Sequence, residues 1–185
     1  MLREVSATDA PERLESFNPR DGSKLGEVPI ADPSMVRATF ERARRAQVGW
    51  AEIGVDRRNE ILNRLRGVLL ERADEIGQVV SSENGKPPVE PIGLIAPVCE
   101  TVKLHTALAK RLEAGEKVSA TFFVGSRARI FYEPLGVAGY ILPWNFPFEL
   151  GMKHMIPALA AGNAVVQKPS PVNPLIGEMI VSLFR

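Results

Sequence analysis

From Asp32 to about Glu113 the apolar residues recur at helical spacing, and beyond Arg127 they come in short continuous runs. Asp32-Pro33-Ser34 predicts the start of a first helix, with Asp32 as its cap and Pro33 at the first helical position. Val36, Phe40, Ala43 and Trp50 mark its stripe. A second helix opens at Asp56 and carries Ile61, Leu62, Leu65, Leu69, Ala73, Ile76 and Val80. Asn84-Gly85 and Pro87-Pro88 end it. A third begins near Pro91–Pro97 and runs to about Glu113, with Val98, Val102, His105, Ala109 and Leu112 on one face. Residues 1–15 are polar and weakly patterned, and read as a loose arm. Phe17 to Pro33 is turn-rich, with Asp21-Gly22 as the turn and Leu25, Val28 and Ile30 as short extended segments.

The second half changes period. Gly115–Ser126 is a mixed connection, and Arg127–Tyr132 is a strand candidate by its β-branched and aromatic bias. Val137–Leu142 is nearly all apolar, as buried parallel strands are. The loop Pro143–Pro147 leads into a helix to about Ala161, and Ala164–Lys168 is a second short strand. After the loop Pro169–Pro174 a last helix begins, from Leu175 to Phe184. Residues 137–185 thus read β-loop-α-β-loop-α, which predicts parallel strands and the start of a doubly wound α/β sheet. Leu175, Ile176, Met179, Ile180 and Leu183 give the last helix an apolar face, yet only two such strands precede it. Two parallel strands leave open edges, so the expectation is an interrupted domain.

Composition narrows the class. The chain has 185 residues, 45% hydrophobic and 24% charged, as in an ordinary globular protein. A net charge of +1 gives no field to favour nucleic acid or anionic lipid. One cysteine cannot form an internal disulfide, and with two histidines it cannot fill a zinc site without carboxylates, so no metal is expected. No apolar run approaches the ~20 residues of a membrane helix, and the N-terminal residues lack a signal-peptide core. A soluble, cytoplasmic protein is expected.

Most candidate chemistry has a structural reading. Cys99 lies in a helix pattern with no Lys or His in the preceding turn to activate it. His105 falls on an apolar stripe, and His154 reads as a partly exposed structural residue. Arg42, Arg44 and Arg45 are flanked by Glu41 and Glu52, as on a solvated helix face. No Gly-x-Gly-x-x-Gly or Walker-type loop follows either strand. The loop Pro143-Trp144-Asn145-Phe146-Pro147 differs, because it follows the C-terminal end of a strand, where open α/β sheets bind ligands. Two prolines stiffen it. Its asparagine is either a helix cap in a tight turn or a neutral donor for a developing oxyanion. Lys168-Pro169-Ser170 ends the second strand at the same edge, where lysine and serine could grip a nucleotide's ribose or phosphate.

Together, Glu133–Phe148, then Lys153 and Pro157–Ser170, closely resemble the aldehyde dehydrogenase superfamily. The resemblance reaches back through Glu83-Asn84-Gly85-Lys86-Pro87, Arg57-Arg58 and Trp50 to Phe17-Asn18-Pro19-Arg20-Asp21-Gly22, and covers residues 16–185. It implies an aldehyde-dehydrogenase-like α/β fold: N-terminal helices plus the first βαβ of a Rossmann-like parallel sheet, truncated, with no catalytic domain. By this resemblance Asn145 helps form the oxyanion hole for the thiohemiacetal, Phe146 lines the aldehyde tunnel and Lys153 lies near the general base. Ile141, Leu142, Pro143, Trp144, Lys168 and Ser170 line or bind the cofactor, NAD or NADP. Segments 17–31 and 119–135 match oligomerisation arms.

Where NAD-preferring members carry a ribose-binding Glu, this chain has Pro171, which leaves the NAD/NADP choice open. The family's nucleophilic cysteine and basic glutamate match no residue here. The chain alone is therefore expected to be inactive. The implied reaction is oxidation of an aldehyde to a carboxylic acid, within a homo-oligomer or with a complementing C-terminal half. A non-catalytic interaction subunit, one half of a split enzyme, or a truncated reading frame are the alternatives.

Overall fold

The computed structural model describes residues 12–88, 93–118 and 127–185. The chain enters through an antiparallel hairpin of β1 (Arg13–Phe17) and β2 (Lys24–Pro29). Its turn closes by Asn18 N–H to Ser23 O at 2.8 Å, with Gly22 at φ 73°, as Asp21-Gly22 predicts. Strand β1 corrects the expectation of a loose arm through residue 15. Its sequence, Arg-Leu-Glu-Ser-Phe, is a polar edge strand with no apolar run to reveal it.

Helix α1 (Pro33–Glu52) starts where expected: Asp32 Oδ1 accepts from Ser34 N–H at 2.6 Å and Met35 N–H at 2.9 Å. Its apolar stripe is not core, however. No residue of α1 is buried, and Val36 and Phe40 stand exposed. Gly54, at φ 78°, makes the bend into α2 (Gly54–Glu71), a backbone state that disfavours any side chain. The single helix expected from Asp56 to Asn84 is two helices, α2 and α3 (Ala73–Asn84). They part at Arg72, whose guanidinium holds Glu75 at 2.7 and 2.8 Å and Ser182 Oγ at 3.1 Å. The expected stripe crosses this break, with Leu62, Leu65, Leu69, Ile76 and Val80 buried and Ile61 exposed.

Helix α4 (Ile95–Ala114) buries Val98, Cys99, Val102, Thr106 and Ala109. Val98, Val102 and Ala109 are buried as expected, but His105 is half-buried and Leu112 exposed, while Thr106 is inside. Thr106 tolerates burial because its hydroxyl donates to Val102 O at 2.9 Å, one turn back. Strands β3 (Glu116–Val118) and β4 (Ala128–Ile130) form a short antiparallel ladder, narrower than Arg127–Tyr132. The candidate arm 119–135 lies partly outside the described residues.

The last third follows the expected βαβ order. Strands β5 (Val137–Ile141) and β6 (Ala164–Lys168) pair in parallel, from Val137↔Ala164 to Ile141↔Lys168. Helix α5 (Pro147–Ala160) connects them, and α6 (Pro174–Ser182) follows β6. Strand β5 is only half-buried, contrary to its apolar sequence, and Ile141 is 80% exposed. The core lies between helices instead. Phe148, Met152 and Ile156 of α5 meet α2, α4 and α6. The apolar face of α6 is covered by α3, α5 and the β1–β2 hairpin rather than by further strands.

Three side-chain donors fix the C-terminal end of α5. Trp50 Nε1 donates to Leu159 O at 2.8 Å, Arg58 Nε to Ala160 O at 3.3 Å and Gln47 Nε2 to Gly162 O at 2.9 Å. Helix-end carbonyls lack partners within the helix, so these contacts both satisfy and orient it.

Candidate active-site edge

The parallel register brings the two loops singled out from sequence to one edge. Ile141 pairs with Lys168, and Leu142 N–H donates to Lys168 O at 3.0 Å, so both strands end level. From there Pro143–Phe146 leaves β5 and Pro169–Asn173 leaves β6.

The first loop is held through one carbonyl. Trp144 O accepts from Asn84 Nδ2 and from Asn173 Nδ2, each at 2.8 Å. Asn84 ends α3, and Asn173 stands at the N-cap of α6. An N-cap asparagine ordinarily accepts from its own helix. Here Glu83 takes that role: its carboxylate accepts Leu175 N–H at 2.9 Å and Ile176 N–H at 2.8 Å. The Asn173 amide is thereby free to turn to Trp144. Its Oδ1 is buried without a hydrogen-bond partner among the described residues. Burial pushes the Glu83 carboxyl above its ordinary value, and bonds from Ser16, Leu175 and Ile176 pull the other way. Phe146 carries the Lys86 ammonium 3.7 Å from its ring centroid.

Asn145 sits between these two anchored residues. Its side chain is exposed and makes no hydrogen bond among the described residues, so the amide is not the helix cap that one sequence reading allowed. Trp144 is 60% exposed beside it. Leu142 is buried and Pro143 exposed. Lys168 is exposed, with Nζ donating to Pro169 O at 2.9 Å. Ser170 is buried and shapes its own turn, its Oγ accepting Val172 N–H at 3.2 Å. Lys153 is exposed and paired with Glu149 on α5. His154 Nδ1 lies 2.5 Å from Leu150 O, and its ring tilts against Tyr140 at 5.5 Å. Cys99 is in the helical core, where burial pushes its thiol up. No group of three or more metal-binding side chains occurs among the described residues.

The profile of the aldehyde dehydrogenase family matches residues 5–185. The chain belongs to the aldehyde dehydrogenase family. Among its relatives, 4,4'-diapolycopene aldehyde oxidase of Methylomonas sp is 34% identical over 92% of this chain and 33% of its own. An NAD-dependent benzaldehyde dehydrogenase from Corynebacterium glutamicum superposes with a TM-score of 0.85 at 30% identity, covering 94% of this chain and 38% of that one. An NADP-dependent glyceraldehyde-3-phosphate dehydrogenase from Bacillus halodurans superposes at 0.86 with 30% identity, covering 94% and 37%. This aldehyde dehydrogenase chain thus spans about a third of the length of its relatives, and corresponds to their N-terminal part. No helix among its described residues is long and apolar enough to cross a membrane.

Sequence reasoning finds both loops of this aldehyde dehydrogenase edge, but not what holds them. Asn84 reads only as a helix end and Glu83 and Lys86 only as part of the family resemblance, and Asn173 reads as a loop residue before Pro174. A usable signal is present: polar residues end a helix whose neighbours Ile76 and Val80 are core.

Proposed function

We propose that this chain supplies the oxyanion-stabilising and cofactor-facing edge of an NAD(P)-dependent aldehyde dehydrogenase that converts an aldehyde to a carboxylic acid. The observation that carries this reading is the exposed amide of Asn145, unpartnered among the described residues, on a braced loop at the C-terminal edge of the parallel pair. A neutral N–H donor in that place strengthens its bond as a substrate carbonyl oxygen gains charge, and draws no proton from the reaction. Phe146 lines the approach of the aldehyde, and Lys153 stands nearly two turns into α5, near the family's general base.

A nicotinamide cofactor suits the adjoining edge. The exposed Lys168 ammonium and the 80% exposed apolar Ile141 stand in register, offering charge and apolar surface to a nucleotide. Pro143 and Trp144 continue that surface, with Leu142 buried beneath it, and Ser170 shapes the turn behind it. When bound, the cofactor accepts the hydride. Lys168 binds the ribose hydroxyls or a 2′-phosphate. Pro171 places no carboxylate against that phosphate, which keeps NADP admissible.

The nucleophile is not in this reading. The one cysteine, Cys99, is buried in α4 with a raised thiol, so the 185-residue chain is proposed to be inactive alone. Titrating the chain with NAD+ and NADP+ while following tryptophan emission, with a Trp144→Phe chain to subtract the part due to Trp50, tests the cofactor surface. Quenching abolished by Lys168→Ala supports it, and no change with either nucleotide overturns it. Reduced nicotinamide forming from any aldehyde with the chain alone overturns the proposed inactivity.

Association is the companion reading. Val36, Phe40 and Val48 of α1 are exposed, and the two-stranded sheet has open edges. A homologous subunit or a C-terminal complement, within a cytoplasmic oligomer, would cover them. Sedimentation of the pure chain as a stable monomer at every concentration argues against self-association.

A further inference from the structure

Asn145 is the residue on which the proposed chemistry rests, yet its amide makes no hydrogen bond among the described residues. What directs it must act through its neighbours, and both neighbours are held from the C-terminal end of α3. On one side, the Trp144 carbonyl accepts two amide N–H groups at 2.8 Å, from Asn84 and Asn173. Using both lone pairs of a carbonyl fixes the plane of the peptide that joins Trp144 to Asn145. On the other side, Phe146 lies under the Lys86 ammonium. Between Asn84 and Lys86 stands Gly85, at φ 74°, which turns the chain so that both can reach the loop. A Cβ on Gly85 would also lie 3.0 Å from Pro19 Cγ.

The second amide is available only because of Glu83. Leu175 and Ile176 N–H groups are capped by this carboxylate from α3, not by Asn173. The arrangement is unfavourable in two places: Glu83 is buried against its charge, and Asn173 Oδ1 has no hydrogen-bond partner among the described residues. Neither is needed merely to cap α6, since Asn173 could do so itself. Strain of this kind persists where the surrounding structure needs the geometry it gives.

We propose that Asn84 and Asn173 are positioning residues for Asn145, with Glu83 holding Asn173 in place, so that α3 aims the oxyanion donor from outside the βαβ unit. The inference rests on the reading of Asn145 as that donor. It extends it by assigning a role to the Glu83-Asn84-Gly85-Lys86 segment.

The test is nitrogen-15 relaxation of the full 185-residue chain, which reads loop order with no need for substrate or cofactor. In the parent chain the Asn145 backbone order parameter is expected near the rigid value of about 0.85. Asn84→Ala and Asn173→Ala are each expected to lower it below about 0.6, with order in α5 and β6 unchanged. Asn84→Asp keeps the size of the side chain but removes the donor, so it should behave like Asn84→Ala. An effect of packing alone would leave it like the parent. Asn173 is fully buried and its variant is the more exposed to misfolding, whereas Asn84 is only half-buried. The Asn84 pair therefore decides. Unchanged order at Asn145 in both Asn84 variants overturns the proposal. Loss of order there, in a chain that binds neither NAD+ nor NADP+, leaves the positioning intact and sinks the cofactor reading instead.

Discussion

Ser16 donates its hydroxyl to Glu83 Oε1 at 2.5 Å, joining two buried residues 67 positions apart. The bond ties the N-terminal hairpin to the end of α3, and the same carboxylate caps α6. Three elements distant in sequence therefore meet on one ionisable group.

That group should give the chain a specific pH response. Burial raises the Glu83 carboxyl above its ordinary value of 4.5. The folded chain then holds this proton more tightly than the unfolded chain. The resulting stabilisation is fully present below the unfolded value and is lost as pH rises through the folded one. Glu83→Gln removes the titration and leaves one α6 N–H facing an amide NH2 group, a donor against a donor, which should destabilise by about 1–3 kcal/mol. Urea unfolding at several pH values should show the gap between parent and variant narrowing as pH rises from 4.5 toward neutral. A gap that widens over that range contradicts this account.

Two glycines should separate by the stiffness of what they face. A Cβ at Gly177 would lie 2.5 Å from Pro169 Cβ and 2.6 Å from its Cγ, a ring that cannot swing away. Gly177→Ala should lose about 1–3 kcal/mol through overpacking, although alanine is the better helix former. Because Pro169 follows Lys168, Gly177→Ala should also shift the amide signals of the loop after β6. At Gly26 the nearest atom is Leu175 Cδ2 at 3.3 Å, the end of a flexible side chain. Gly26→Ala should stay within about 0.5 kcal/mol of the parent. Thermal melts of the two variants side by side check the contrast.

The βαβ unit is legible in the sequence because it is local. Val137–Ile141 is a short apolar run and Ala164–Lys168 opens on Ala-Val-Val, and the helix between them has Pro147 at its start. The loops at their ends carry residue types with obvious chemistry, so Asn145 and Lys168 can be named at once. What is not legible is set by distant contacts. The stripe is split into two helices at Arg72, whose guanidinium reaches Ser182, 110 positions away. Thr106 of α4 stands inside where the expected face has His105, its hydroxyl bonded one turn back to Val102 O. Apolar sequence also fails to mean burial in α1 and β5, whose outer faces meet nothing among the described residues. The brace on Trp144 joins residues 29 and 60 positions away, which no local pattern records.

Arg58 should prove a structural cation rather than a ligand for substrate. Its side chain is 7% exposed and donates to Ala51 O at 2.8 Å and Ala160 O at 3.3 Å, the ends of α1 and α5. The Glu113 carboxylate, at 3.4 Å, supplies the opposing charge. Arg58→Met keeps much of the apolar stem but leaves both carbonyls without this partner, and should destabilise by about 1–3 kcal/mol. Hydrogen exchange should then quicken in the last turn of α5 and leave α3 unchanged. Equal quickening in both helices would mean a global loss and not a lost cap.

Cys99 offers the cleanest check on where the chemistry of this chain does not lie. Burial pushes its thiol up, the Glu100 carboxylate adds to that, and the Arg66 guanidinium opposes it. A thiol that is both covered and protonated reacts slowly, since the thiolate is the attacking form. A disulfide reagent should therefore titrate almost no thiol in the native chain at neutral pH, and one thiol per chain in denaturant. Cys99→Ala should leave the order of the Asn145 loop and any NAD(P)+ titration as in the parent, because α4 packs on α2 and α5 and not on that edge. Fast native labelling of Cys99, together with loss of the nucleotide response on its removal, would reopen it as a functional residue.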